Sequence, residues 1–181
     1  IYKELFPAVY GMFTSKYKKL DFNFGLRAEQ TFSTIESETM NETYKNDYLS
    51  FFPSAFFKYP LSANSDLQLS YSRRVNRPDS RSLNPFVDYS DSLNIRKGNP
   101  FLRPEFTNAL ELSNSLTVQE WSITTSIFYR KTDDMISRFR TVDPNTGIGA
   151  MTTTNFSSSE NLGGELIVRY TFDKIGSVMG S

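Results

Sequence analysis

The chain has 181 residues, 20 Lys and Arg against 20 Asp and Glu for a formal net charge of zero, and no cysteine or histidine. The charge balance excludes a phosphate-backbone binder. The missing residue types exclude disulfide frameworks, zinc sites of the usual ligands, thiol nucleophiles and histidine-dependent triads. Aromatic residues make up 15% of the sequence at a mean hydropathy of −0.43, so rings and polar groups are finely interleaved.

Read from the first residue, the dominant period is two. Residues 3–14 form the first expected strand. In the second, 20–33, Leu20, Phe22, Phe24, Leu26 and Ala28 share one parity, and Asp21, Asn23, Gly25, Arg27 and Glu29 share the other. Such alternation marks half-buried strands. A third strand, 45–59, alternates less cleanly and contains Pro53, which cannot donate to a ladder. The pattern returns at 65–76 (Leu67, Leu69 and Tyr71 against Asp66, Gln68 and Ser70) and at 105–117. It continues over 120–141, where Trp121, Ile123, Ile127 and Tyr129 oppose Ser122, Thr124, Ser126 and Arg130, and over 148–172.

All seven expected strands reach the roughly 9 to 11 residues that a tilted strand needs to cross a bilayer. Their connections alternate: 15–19, 61–64 and 118–119 are short, whereas 33–44 and 76–104 are long. Short turns at one end and long loops at the other are the asymmetry of outer-membrane barrels. The connection 143–147 is short on the long-loop side, and its long flanking strands predict a hairpin projecting beyond the membrane. Tyr17, Phe57, Tyr59, Trp121, Tyr170 and Phe172 all fall near the short-turn ends, where an interfacial girdle is expected; the alternative is that rings simply favour strands and cores. No run approaches the roughly 20 apolar residues of a membrane helix, and nothing at the start has the form of a signal peptide. The chain begins with Ile1, so an export signal is expected upstream, in a longer protein.

The run Ser70-Tyr71-Ser72-Arg73-Arg74-Val75-Asn76-Arg77-Pro78, then Leu83-Asn84-Pro85-Phe86, then Asn94-Ile95-Arg96-Lys97-Gly98-Asn99-Pro100-Phe101-Leu102-Arg103-Pro104-Glu105 resembles the barrel of TonB-dependent receptors, and most of all the outer-membrane β-barrel group common in Bacteroidetes. Gly25-Leu26-Arg27-Ala28-Glu29 resembles that family's Gly-Leu-Arg-x-Glu strand. Asn155 followed by Gly163-Gly164-Glu165-Leu166 resembles its Asn, then Gly-x-Glu-Leu strand. Each motif is weak alone; their order and spacing span nearly the whole chain.

The resemblance implies an all-β fold, with residues 1–181 a part of a large antiparallel up-and-down transmembrane barrel and the plug domain outside these residues. It implies nutrient import across the bacterial outer membrane, with no enzymatic activity and no cofactor. Implied partners are outer-membrane lipid and lipopolysaccharide, TonB through the plug, and a surface lipoprotein. The cargo class stays open among iron chelates, glycans, peptides and vitamins. Seven strands are about a third of a 22-stranded barrel, so open edges are expected on both sides.

Two loop features are candidate sites. Arg73, Arg74, Arg77 and Arg81 form a basic cluster suited to an anionic ligand or to lipopolysaccharide phosphates, with neutralisation by Asp79, Asp88 and Asp91 as the plainer reading. Gly98, Asn99, Pro100, Pro104 and Glu105 are read as a structural loop motif: Gly98 for a positive φ if the turn needs one, Asn99 for a bond to its own backbone, the prolines for stiffness. Asp21, Arg27, Glu29, Glu111, Glu165 and Arg169 are expected to face the lumen and to pair across strands or meet the plug. Two other classes share part of this pattern. A soluble secreted β-sandwich, for example a carbohydrate-binding module, would have shorter strands and no short-long rhythm. An outer-membrane phospholipase or protease would need a histidine, and there is none.

Overall fold

The computed structural model describes residues 1–37, 41–91, 93–145, 147–172 and 176–180. Its strands are β1 (Tyr2–Leu5), β2 (Ala8–Tyr17), β3 (Leu20–Ser37), β4 (Glu42–Ser62), β5 (Ser65–Asn76), β6 (Val87–Asp88), β7 (Asn94–Lys97), β8 (Glu105–Val118), β9 (Trp121–Asp133), β10 (Ile136–Val142), β11 (Gly149–Asn155), β12 (Ser158–Phe172) and β13 (Gly176–Gly180), with one short helix, α1 (Ser80–Leu83). Nine strands form a single antiparallel sheet in the order β1-β3-β4-β5-β8-β9-β12-β13, with β2 also on β3. β1 and β2 lie end to end on one edge of β3, covering Phe32–Ile35 and Leu20–Glu29 respectively. The expected strand 3–14 is therefore interrupted at Phe6-Pro7, where proline has no N–H for the ladder.

The register shows how the period of two becomes two chemically distinct faces. One cross-sheet row runs Asp21, Lys58, Gln68, Ser113, Ser126, Glu165; the adjacent row runs Phe22, Phe57, Leu69, Leu112, Ile127, Gly164. The first row lies on an inner face that carries most of the charge. The second lies on an outer face where Leu26, Phe51, Leu112, Ile127 and Leu166 are all exposed. A broad exposed apolar face of this kind is suited to hydrocarbon.

The aromatic residues expected near the turns all fall on the outer face at the short-turn end. Trp121 and Tyr170 lie 4.8 Å apart between ring centroids, as do Tyr170 and Phe172. The turns themselves are tight, and Lys18 and Gln119 take the left-handed conformation in two of them. Pro53 sits within β4 opposite Leu26, while the ladder to β5 stops one residue away at Ser54–Ser72, as a missing donor requires.

The other end departs from simple alternation. β3 and β4 pair as far as Ser37 and Glu42, so the connection expected over 33–44 shrinks to residues 38–41. The expected strand 120–141 breaks between β9 and β10 at Asp134, whose φ is 56°, and 148–172 breaks between β11 and β12. The hairpin β10–β11 thereby leaves the main sheet. It joins β7 and β6 in a second sheet of order β10-β11-β7-β6, in which β11 and β7 run parallel. β13 is an added strand that the alternation did not mark.

Residues 77–91 and 93–104 thus form a built cap. Short Asn and Asp side chains fix its turns by accepting backbone N–H bonds: Asp79 from Ser82 (2.7 Å), Asn84 from Phe86 (3.1 Å), Asp88 from Ser90 (2.9 Å) and Asp91 from Leu93 (3.0 Å). Leu83 and Leu102 from the cap are buried with Ile35 of β3, packed by Tyr2, Tyr44 and Ile136. Burying each leucine contributes about 1.5–3 kcal/mol.

Candidate functional site

Where the cap meets the inner face lies the most buried charge among the described residues. Glu29 is 3% exposed and accepts from the guanidinium groups of both Arg27, two residues along β3, and Arg77, at the start of the cap. Arg77 also lies over the Phe6 ring, 4.4 Å from its centroid. A buried carboxylate needs such partners. This cluster ties the cap to the sheet.

The loop motif makes a second attachment. Gly98 donates to the Asn84 carbonyl (2.9 Å) and Asn99 to that of Ser82 (2.7 Å). A Cβ on Gly98 would stand 2.5 Å from the Asn84 oxygen and 2.6 Å from that of Ser82. Gly98 is therefore needed for close backbone approach and not for a positive φ; among the described glycines only Gly147 has one. Asn99 Oδ1 accepts from the Phe101 N–H (3.0 Å), Pro100 and Pro104 are buried, and Glu105 accepts from Asn76 Nδ2 (2.7 Å) and from the Ile136 backbone. Asn155 completes the clamp. Its Oδ1 accepts from the Arg103 N–H (2.9 Å), and its Nδ2 donates to the carbonyls of Arg103 (2.9 Å) and Asp134 (2.7 Å).

The basic cluster read from sequence is dispersed. Arg73 stacks on Phe106 (4.7 Å), Arg74 stands opposite Thr107 in the β5–β8 ladder, and Arg77 belongs to Glu29. Arg81 alone reaches an open cleft of about 670 Å³ between α1, β6, β7 and the β10–β11 hairpin. There it is joined by Arg96 and Lys97 of β7 and Arg138 of β10, with Asp88 the one carboxylate in the lining. Met151, Phe86 and Val87 supply apolar wall. A smaller depression beside it shares Arg96 and Met151 and adds Arg140, whose guanidinium donates to Asn94 Oδ1 (2.7 Å).

Of these cations, Arg81, Lys97 and Arg138 enter no ion pair among the described residues. Arg96 stands opposite Asp88 in the β6–β7 ladder. Bonds from Ser90 hold the Asp88 carboxyl below its usual range, so it stays ionised and offsets one charge. The cleft keeps a net excess of positive charge on walls that are partly apolar.

Of the remaining charged residues expected on the inner face, Asp21 pairs across to Lys16 (3.1 Å), and Arg27 pairs along its own strand. Glu111, Glu165 and Arg169 share the face with no ion pair among the described residues. The sequence pattern does not mark Arg96, Lys97 and Arg138 as site residues. The i, i+2 spacing of Arg138 and Arg140 does put both on one face. Nothing local predicts that their hairpin turns to meet β7.

The family model described as outer membrane protein beta-barrel family matches residues 1–181. No curated protein sequence matches the chain significantly. Among solved structures, a double mutant of the Serratia marcescens hemophore receptor HasR, in complex with its hemophore HasA and heme, superposes with a TM-score of 0.74 at 16% identity, covering 93% of this chain and 32% of that one. The copper transporter OprC gives 0.68 at 18% identity, covering 94% and 27%. The siderophore receptor PirA from Pseudomonas aeruginosa gives 0.65 at 14% identity, covering 97% and 41%. At these identities the likeness is one of fold. This chain spans about a third of such receptors.

Proposed function

Because the chain belongs to the outer membrane protein beta-barrel family and resides in the bacterial outer membrane, we propose that it is the wall and outer cap of a TonB-dependent importer of a scarce solute. In this reading the apolar outer face lies in lipid, the tight turns face the periplasm, and the cap faces outside. Plug and TonB-contacting segments belong to the remainder of a longer protein. One observation carries the reading. The long-loop end is a built structure, pinned to the inner face by Glu29 and to the corner between β9 and β10 by Asn155, and enclosing a cleft, whereas the described turns at the opposite end are short. Recognition loops on a rigid barrel are where a ligand is expected. The fold shared with the hemophore receptor, the copper transporter and the siderophore receptor supports an uptake role.

The test is depletion of the growth medium, followed by mass spectrometry, in strains lacking either the parent gene or the energy-transducing TonB. One solute left unconsumed in both deletions, and consumed again on complementation, is the expected result. No solute shared by the two deletions would contradict the reading.

A further inference from the structure

We infer that the cleft between α1, β7 and β10 binds a small molecule carrying two or more carboxylate or phosphate groups on a partly apolar body. The inference rests on the import reading for its biological sense, but its chemistry stands on the cleft alone.

Charge supplies the first argument. Arg81, Arg96, Lys97 and Arg138 all line the cleft, from a helix and two strands that are not neighbours in sequence, against the single carboxylate of Asp88. Exposed cations scattered over a loop normally find acidic neighbours, and this cap is rich in them: Asp79, Asp88, Asp91, Asp134 and Asp143. These acids are engaged in turns or in other pairs. Asp79 caps α1, Asp88 and Asp91 hold their own turns, and Asp134 pairs with Arg103. Asp143 closes the hairpin tip through the Asn145 N–H (2.9 Å). The fold thus ties its carboxylates to turn geometry; Asp88 and Asp91 act on Arg96, while Arg81, Lys97 and Arg138 enter no ion pair among the described residues.

Geometry supplies the second. Arg138, Arg140 and Arg96 lie on one face of the β10-β11-β7-β6 sheet, with Met151 between Arg140 and Arg96 in the register. Guanidinium groups fixed on strands present planar forks suited to bidentate contact with carboxylate or phosphate. Arg140 is already held in place by Asn94. Separated forks on a sheet select an anion with separated charges over a single small ion. The apolar wall of Met151, Phe86 and Val87 suits the body between them, and about 670 Å³ is a volume typical of small-molecule sites.

The experiment uses the full-length receptor purified in detergent micelles and titrated calorimetrically with benzene-1,3,5-tricarboxylate and, in parallel, with its uncharged trimethyl ester. The tricarboxylate is expected to bind, more weakly as salt is raised, and the ester is not. The double variant R96Q/R138Q is expected to weaken tricarboxylate binding by about tenfold or more, each lost fork being discounted for its exposure to water. Both proteins should keep the heat-modifiable gel mobility of a folded barrel, so that a loss is not mistaken for misfolding. K18Q/K19Q, at the opposite end of the sheet, should bind as the unaltered receptor does. No measurable tricarboxylate binding, equal binding of the ester, or unchanged affinity in R96Q/R138Q overturns the inference. Displacement of the tricarboxylate by added lipopolysaccharide assigns the forks to headgroup phosphates and equally overturns the soluble-ligand assignment. The medium-depletion assay is independent of these outcomes, so an importer of a neutral solute would pass it and fail here.

Discussion

Replacing Glu29 by Gln asks whether the cap is held to the barrel wall by charge. Glu29 is 3% exposed and takes one guanidinium from β3 and one from the cap. The amide can still accept from one arginine, but its NH2 group faces the other. One charge-assisted bond is lost, about 1.5–3 kcal/mol, and the remaining one becomes neutral. Arg27 is half exposed and recovers water, whereas Arg77 lies partly buried over Phe6 and does not. A net loss of about 2 kcal/mol in cap docking is therefore expected, raising the undocked population by about 30-fold. Amide hydrogen exchange in the full-length receptor reads this directly. Peptides containing Leu102 and Arg103, whose N–H groups bond Asn99 and Asn155, should exchange about 30-fold faster, while those within β8 and β9 stay protected. Exchange at Arg103 within threefold of the unaltered protein would refute the reasoning and leave Leu83 and Leu102 as sufficient anchors.

Gly98→Ala places a methyl against two backbone carbonyls that cannot yield separately, and it should cost about 2–3 kcal/mol of cap stability; limited proteolysis is expected to cut within 77–104 well before the barrel. Leu112→Lys, on the outer face, should impair folding into lipid vesicles by about 2–4 kcal/mol, whereas Ser113→Lys, one residue on and facing inward, should cost far less; denaturant titration of the vesicle-bound protein compares them. The carboxyls of Asp88 and Asp91 are depressed by bonds from Ser90 and Asn94, so their contribution is present above the ordinary carboxylate pKa and lost as pH falls through the lower folded value. Protection of the Ser90, Leu93 and Asn94 amides should accordingly be independent of that ionisation between pH 5 and 8 and fall only below about pH 4.

Most of the main sheet was legible because β3, β5, β8, β9 and β12 obey one local rule. Alternation gave β5 its bounds, Ser65–Asn76, and put Asp21, Arg27 and Glu29 on one face with Glu111, Glu165 and Arg169. The motif Asn99 to Glu105 was legible as loop chemistry, since the Asn99 turn depends on its own backbone. What alternation misses is where pairing changes partner. β9 and β10 read as one strand in sequence, and only the left-handed Asp134 and the parallel meeting of β11 with β7 divert the hairpin into the cap. The clustering of Arg73, Arg74, Arg77 and Arg81 in sequence misleads for the same reason. Strand parity and the buried Glu29 scatter the first three, while Arg96 and Arg138, 42 positions apart, become neighbours through β11.

A sheet that crosses the outer membrane with its cap outside exposes its two ends to different compartments. These 181 residues contain no cysteine, so with any cysteine elsewhere in the parent protein replaced by serine, single thiols at Asn145→Cys, in the hairpin tip, and at Lys18→Cys, in a tight turn, can be introduced and exposed on intact cells to a membrane-impermeant maleimide. Labelling at position 145 on intact cells, and at position 18 only after the outer membrane is permeabilised, is the predicted result. Equal labelling of both on intact cells, or the reverse order, would contradict it.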